Sequence, residues 1–280
     1  MFEKELDNFI KNALLEDIGD GDHTSLGCIS KDTISKAHLL IKDNGIIAGI
    51  ELAKKIFNQV DNSLIITQKL NDGDTVKYGD TAFNIEGKSQ SILQAERLVL
   101  NCMQNMSAIA TKTHHLNLLI NDTKCKILDT RKTTPLNRII QKWAVKIGGG
   151  INHRYGLFDM IMIKDNHIDY CGGITQAIRK TKKYLKKNNL DLDIIVETRN
   201  IKEIKEVMNE GGIRRILLDN FNFDETRNAV KIINNEYETE SSGGITERNI
   251  LEYAKCGVDY ISLGALTHSI KNFDLSLKAK

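Results

Sequence analysis

The chain has 280 residues, 41% hydrophobic, 27% charged and 6% aromatic, the composition of a folded globular protein of one or two domains rather than a disordered, collagenous or coiled-coil chain. Its 39 Lys and Arg against 37 Asp and Glu leave a formal net charge of +2, which argues against a nucleic-acid-binding surface and makes any positive site a local one. The longest uncharged run near the middle, Leu98 to Thr111, holds 14 residues including Asn101, Gln104 and Asn105, too short and too polar to span a bilayer, so no membrane partner is expected. The N-terminal Met-Phe-Glu-Lys-Glu-Leu-Asp lacks the apolar stretch of a secretory signal, and a cytoplasmic location is expected. Five cysteines without a Cys-x-x-Cys pair or regular spacing read as reduced, mostly buried thiols rather than a zinc site or a disulfide framework.

Taken in chain order, Phe2, Leu6, Phe9, Ile10 and Ala13 recur at helical intervals, and the acidic glycine segment from Glu16 to Ser25 reads as the loop that ends this helix. That segment is not a calcium loop, because an EF-hand begun at Asp20 needs Gly at its sixth position and Glu at its twelfth, where Ser25 and Lys31 stand. Apolar runs at Ala37 to Ile41, Leu64 to Thr67 and Thr81 to Ile85, punctuated by Asn-Gly and Asp-Gly turns and one helix near Glu51 to Val60, predict a small α/β domain over residues 1–110. A long connecting helix from Ser89 to about Ile120 leaves it.

Beyond that helix, strand-like and helical segments alternate. The apolar runs are Cys125 to Leu128, Met160 to Ile163, Ile194 to Val196, Ile216 to Leu218, Tyr237 to Thr239 and Tyr260 to Leu263. This alternation predicts a parallel β/α barrel over residues 111–270, with an open doubly wound sheet as the competing architecture and residues 271–280 as a C-terminal tail. Polar or glycine residues follow each run: Asp129-Thr-Arg-Lys132, Lys164-Asp-Asn-His167, Glu197, Asp219-Asn220, Ser242-Gly-Gly244 and Gly264-Ala265. In a barrel these strand ends meet at one mouth. Arg131, Lys132 and Lys164, with His153 and Arg154 from the loop Gly148 to Arg154, then make a positive cluster in a nearly neutral protein. Glu197 and Asp219 are placed to hold sugar hydroxyls or a hard cation such as Mg²⁺, and the two glycine-rich ends suit a phosphate held on backbone N–H groups. Taken singly, each feature has a plainer role: a solvated loop charge, a turn glycine, a histidine capping a helix. Their conjunction favours a phosphorylated, hydroxylated polyanion as ligand. No His-Glu-x-x-His, Gly-x-Ser-x-Gly, Walker loop or Gly-x-Gly-x-x-Gly is present.

Glu96-Arg-Leu-Val-Leu-Asn101 with Ser107-Ala108, Asp129-Thr-Arg-Lys-Thr-Thr-Pro135, Gly148-Gly-Gly-Ile-Asn-His-Arg154, Lys164-Asp-Asn-His167, Ser242-Gly-Gly-Ile-Thr246 and Ile261-Ser-Leu-Gly-Ala265 together resemble the quinolinate phosphoribosyltransferase family over nearly the whole chain. The resemblance implies an N-terminal α/β sandwich followed by an incomplete β/α barrel, and a homodimer or larger assembly with shared active sites. It implies transfer of phosphoribosyl from phosphoribosyl pyrophosphate to quinolinate with decarboxylation, assisted by Mg²⁺. By motif, Arg131, His153, Arg154 and Lys164 would surround the quinolinate carboxylates and Arg97 would reach in from a second copy. Lys132 would sit by phosphoribosyl pyrophosphate, and Glu197 and Asp219 would take ribose hydroxyls and Mg²⁺. Ser242, Gly243, Gly244, Leu263, Gly264 and Ala265 would cradle phosphate, and Thr130 would join the substrate contacts. Lys132, Lys164, Glu197 and Asp219 would carry the catalytic roles. One departure stands out: Thr198-Arg199 follows Glu197 where the family pattern has Val and a second acidic residue.

Three rivals remain at this level. A paralogue acting on nicotinate would leave part of the cluster Arg131, His153, Arg154 and Lys164 unmatched by its single carboxylate. A Schiff-base aldolase would use Lys132 or Lys164 at a strand end. A silent anion sensor fits poorly with a polar inventory from which nothing needed for chemistry is missing.

Overall fold

The computed structural model describes residues 2–280; Met1, the first residue of the expected N-terminal domain, lies outside the described residues. Helix α1 (Phe2–Ile18) buries Leu6, Ile10 and Leu14, a four-residue repeat that gives one apolar stripe. Helix α2 (His23–Cys28) follows, because Asp22 caps it by accepting the Ser25 N–H at 3.0 Å; the segment expected as a plain loop is therefore partly helical. Then come β1 (Ile34–Ile41), β2 (Gly45–Ile46), α3 (Ile50–Val60), β3 (Ile65–Gln68), β4 (Thr75–Val76), β5 (Thr81–Lys88) and the long α4 (Ser89–Leu119). The alternating half begins with β6 (Lys126–Leu128), α5 (Arg138–Ile147), β7 (Ile161–Ile163), α6 (Asp165–Cys171) and α7 (Ile174–Asn188). It continues with β8 (Ile194–Thr198), α8 (Ile201–Glu210), β9 (Arg215–Asp219), α9 (Phe223–Ile233) and β10 (Glu238–Ser242). Helix α10 (Ile250–Lys255), β11 (Tyr260–Ser262), α11 (Ala265–His268) and β12 (Leu275–Ala279) complete the order. No helix among the described residues is long and apolar enough to cross a membrane.

Contacts divide the chain into two compact units. The first comprises the chain up to His114, Lys132–Gly149 and Ala265–Lys280. Its four-stranded antiparallel sheet has the order β12-β1-β5-β3. Strand β1 buries Ala37, Leu39 and Ile41 on alternate positions, and Leu277 and Leu275 of β12 stand opposite Leu39 and Ile41. The expected C-terminal tail is thus an edge strand of this sheet; a short Leu-Ser-Leu pattern beside a charged end declares itself only once its partner β1 is known. Helix α5, expected within the barrel, packs in the first unit, burying Ile139, Ile140, Ala144 and Val145. Gly148 at its end is a packing residue: a Cβ there would lie 2.5 Å from the Ala110 carbonyl oxygen on α4.

The second unit, His115–Arg131 with Gly150–Gly264, holds a six-stranded parallel sheet in the order β6-β11-β10-β9-β8-β7. Strand β8 is buried throughout and β9 at four of its five residues, the near-continuous burial of strands covered on both faces. Beyond β6 the sheet gains only an isolated parallel bridge, Leu128 to Ile151, and among the described residues β7 is not paired to it. The barrel is therefore incomplete, as the resemblance implies. Strand β10 is Glu-Thr-Glu-Ser-Ser rather than the expected apolar run Tyr237 to Thr239, and its buried Thr239 and Glu240 are polar side chains paired with Asp259 and Arg215.

Candidate active site

In-register parallel strands set residues in rows across one face of a sheet. Ile163 pairs with Val196, so Lys164 emerges beside Glu197, and its Nζ donates to Glu197 Oε2 at 2.6 Å. Glu197 pairs with Leu217, Leu217 with Glu240 and Glu240 with Tyr260; two residues further along, Asp219 pairs with Ser242. Lys164, Glu197, Asp219 and Ser242, far apart in sequence, thus share one face at the C-terminal strand ends. Glu197 is 7% exposed, whereas Asp219 is half-buried and accepts from Asn220 Nδ2 at 2.8 Å.

The loop after the bridge residue Ile151 is held by buried groups. Asp129, fully buried at the end of β6, accepts the His153 N–H at 2.8 Å. The Arg154 N–H donates to His153 Nδ1 at 2.7 Å, so the ring proton sits on Nε2, which lies 3.3 Å from Glu240 Oε2. Arg154 is 7% exposed and donates from Nη1 to the Met160 carbonyl at 3.2 Å. Burial lowers its pKa first, and the charge of Arg131 lowers it further. The two guanidinium groups therefore feel each other, and the Asp159 carboxylate acts in the opposite sense.

Around the remaining ends, Gly243 takes φ 89°, and a Cβ there would lie 3.0 Å from the Asn220 backbone nitrogen, so only glycine lets the two turns approach. Gly244 has φ 62°, and its carbonyl accepts from Asn249 Nδ2 at 3.1 Å. The Leu263 N–H donates to the Leu128 carbonyl at 3.0 Å, tying the end of β11 to β6 and leading into Gly264. Thr130 is half-buried and Arg131 exposed. Three of the expected site residues belong to the first unit: Arg97, exposed on α4; Lys132, exposed, whose carbonyl accepts from Thr267 Oγ1 at 2.8 Å; and Ala265, whose carbonyl accepts from Lys112 Nζ at 3.1 Å. His167 takes its plainer role, since its Nδ1 accepts the Lys164 N–H at 2.9 Å in a capping box that starts α6. Arg199, the departure from the family pattern, pairs on the surface with Glu203 of α8 and Asp169 of α6. Sequence reasoning assigned no role to Asp129, Arg215 or Glu240; the period-two placement of Glu240 between Glu238 and Ser242 was the available signal.

Among the described residues no three His, Cys, Asp or Glu side chains converge as a metal centre. Two carboxylates on neighbouring strands nevertheless suit Mg²⁺, which keeps several waters and takes its other ligands from substrate phosphates.

The second unit is thus an incomplete parallel barrel with a lysine, two carboxylates and glycine turns at its C-terminal strand ends. Residues 22–107 match the family model described as quinolinate phosphoribosyl transferase, N-terminal domain, and residues 109–278 match that of the C-terminal domain. Quinolinate phosphoribosyltransferase [decarboxylating] 1b of Nicotiana tabacum is 46% identical over 98% of this chain and 82% of its own length. Chloroplastic nicotinate-nucleotide pyrophosphorylase [carboxylating] of Arabidopsis thaliana is 45% identical with the same coverage. The structure of nicotinate-nucleotide pyrophosphorylase from Francisella tularensis superposes with a TM-score of 0.92 at 38% identity, covering 99% of this chain and 96% of that one. The chain belongs to the quinolinate phosphoribosyltransferase family.

Proposed function

We propose that the protein transfers phosphoribosyl from phosphoribosyl pyrophosphate to quinolinate and releases CO₂, giving nicotinate mononucleotide and pyrophosphate for NAD biosynthesis. The observation that carries this reading is that the half-exposed Lys164 at a strand end, the exposed Arg131 and the buried Arg154, which feels the Arg131 charge, lie in one unit: cations that two ligand carboxylates would satisfy. Each charge-assisted contact is worth about 1.5 to 3 kcal/mol, enough to favour a dicarboxylate over nicotinate.

In this reading Arg131, Arg154 and Lys164, with Thr130 alongside, receive the quinolinate carboxylates, and His153 acts on them through the loop it shares with Arg154. Lys164 leaves Glu197 for the ligand. Arg97, exposed on its helix, is supplied by a second copy in a homodimer or larger assembly. Lys132 accompanies phosphoribosyl pyrophosphate. Ser242, Gly243, Gly244, Leu263, Gly264 and Ala265 cradle its 5′-phosphate, and Glu197 and Asp219 hold ribose hydroxyls and Mg²⁺. Bound Mg²⁺ supplies charge neutralisation at the pyrophosphate. The pyridine nitrogen attacks the anomeric carbon as the bond to pyrophosphate breaks, and the cations stabilise the departing charge. The ring nitrogen, now positive, draws in the electron pair of the C2–carboxylate bond; CO₂ leaves and a proton is added at C2. The five cysteines are free, which supports the reducing cytoplasm as the compartment.

The test is mass-spectrometric product analysis with phosphoribosyl pyrophosphate, Mg²⁺ and either quinolinate or nicotinate. Nicotinate mononucleotide and CO₂ from quinolinate alone is the expected result. Product from nicotinate alone would replace this reading with the non-decarboxylating one.

A further inference from the structure

Glu240 is a carboxylate buried at 0% exposure, with no access to a ligand of its own, and the proposed chemistry does not use it. Arg215 donates to its Oε2 from Nη1 at 2.9 Å, and the guanidinium of Arg215 lies 3.9 Å from the centroid of the Tyr260 ring. The same Oε2 faces His153 Nε2 at 3.3 Å, while Nδ1 of that ring receives the Arg154 N–H at 2.7 Å. Nδ1 of His153 is thereby occupied, and its Nε2 lies within ion-pair distance of the buried carboxylate. The ring forms a strut from the buried carboxylate to the backbone of Arg154. Burying such a charge costs free energy that apolar packing would avoid, so its placement here calls for a reason besides stability.

We propose that Glu240 is a positioning residue: through His153 it fixes the backbone at Arg154, and so sets where the Arg154 guanidinium meets the aromatic dicarboxylate. Arg215 and Tyr260 hold Glu240 in turn. This deepens the reading of Arg154 as a quinolinate ligand and rests on it. A purely structural role would lower stability and weaken both substrates alike. A positioning role acts on the dicarboxylate alone and is transmitted through His153.

The test has two arms. In protein labelled with ¹⁵N-histidine, His153 shows its proton on Nε2; Glu240→Gln, which keeps the shape and removes the charge, is expected to shift the His153 ring signals while those of surface His23 stay in place. An unchanged His153 ring overturns the strut whatever the enzyme's substrate proves to be. In steady-state kinetics, Glu240→Gln is expected to raise KM for quinolinate about tenfold or more while KM for phosphoribosyl pyrophosphate stays within about twofold. His153→Asn, whose amide oxygen still reaches the Arg154 N–H but whose side chain is too short for Glu240, is expected to do the same. The double variant is expected to be no worse than the poorer single one. Equal losses for both substrates, or additive losses in the double variant, overturn the proposal. If Glu240→Gln does not fold, His153→Asn carries the kinetic arm by itself, and an unchanged quinolinate KM in that variant overturns the proposal. Failure of the wild-type protein to turn over quinolinate would instead fall on the functional reading, leaving the spectroscopic arm to judge the strut.

Discussion

Lys164 sits where two demands meet. As the residue before α6 its backbone N–H is spoken for by His167, while its side chain, 43% exposed, reaches back to a Glu197 carboxylate that is 8% exposed. The buried partner holds the flexible amine near the strand ends, and the exposed amine stays available to an incoming anion. We expect Lys164→Ala to lower turnover about 100-fold, equivalent to roughly 2.7 kcal/mol of lost charge stabilisation, with the thermal midpoint little changed. Steady-state kinetics beside a melting curve checks this, and near-normal turnover would remove Lys164 from the chemistry. Most of the site was legible at this scale, because a charged or glycine residue directly after an apolar run is visible in one dimension. Glu240 was not, because what marks it is its burial between His153 and Arg215, two residues that only the folded sheet brings to it.

At the scale of elements, Asp259 fastens the start of β11 to its neighbours. Its carboxylate accepts the Thr239 N–H at 2.9 Å and the Thr239 hydroxyl at 2.8 Å from β10, and pairs with Lys124 just before β6 at 2.8 Å. Burial works against the charge, but the hydrogen bonds from Lys124 and Thr239 outweigh it and hold the carboxyl below its ordinary value of 3.8. A depressed folded pKa gives stability that is present above 3.8 and lost as the pH falls through the folded value. Asp259→Asn is therefore expected to lower the midpoint of urea unfolding at neutral pH and to shrink that difference below the carboxylate range; an equal loss at both pH values would contradict the linkage. The strands of the barrel were readable wherever both faces are apolar, as in β8 and β9. Strand β10 runs Glu238–Ser242 rather than the expected Tyr237 to Thr239 because its buried residues are polar, and contacts group α5 and the expected tail with the first unit because periodicity says which face is buried but not against what.

For the whole molecule, thiol chemistry and subunit exchange give independent readings. Burial pushes the thiols of Cys102 and Cys125 up to about 12, whereas Cys28 is exposed. A thiol reagent at neutral pH is expected to modify Cys28 promptly and Cys102 and Cys125 only at the rate of global opening; fast labelling of either buried thiol, located by peptide mapping, would show a looser fold. If Arg97 serves the site of a second copy, inactive Arg97→Ala and Lys164→Ala proteins are expected to regain about a quarter of wild-type activity when their subunits are exchanged. Half of the random dimers would be hybrids, each with one intact site. Verified exchange without recovered activity would place Arg97 outside the shared site.

The pairing of β12 with β1 also dictates an order of events. Those two strands are neighbours in the sheet yet stand on opposite sides of the whole barrel in sequence. A chain emerging from the ribosome can pair β1 with β5 early, but one edge of β1 then stays bare, with its row of N–H and C=O groups open, until Leu275–Ala279 arrives. In the barrel β7 to β11 each pair with the next strand in sequence, and β6 waits only for β11, which precedes β12 in the chain, so that ladder can form first. The sheet of the first unit is thus the last to finish, and the interval before it does is when the nascent protein is most exposed to pairing with another chain.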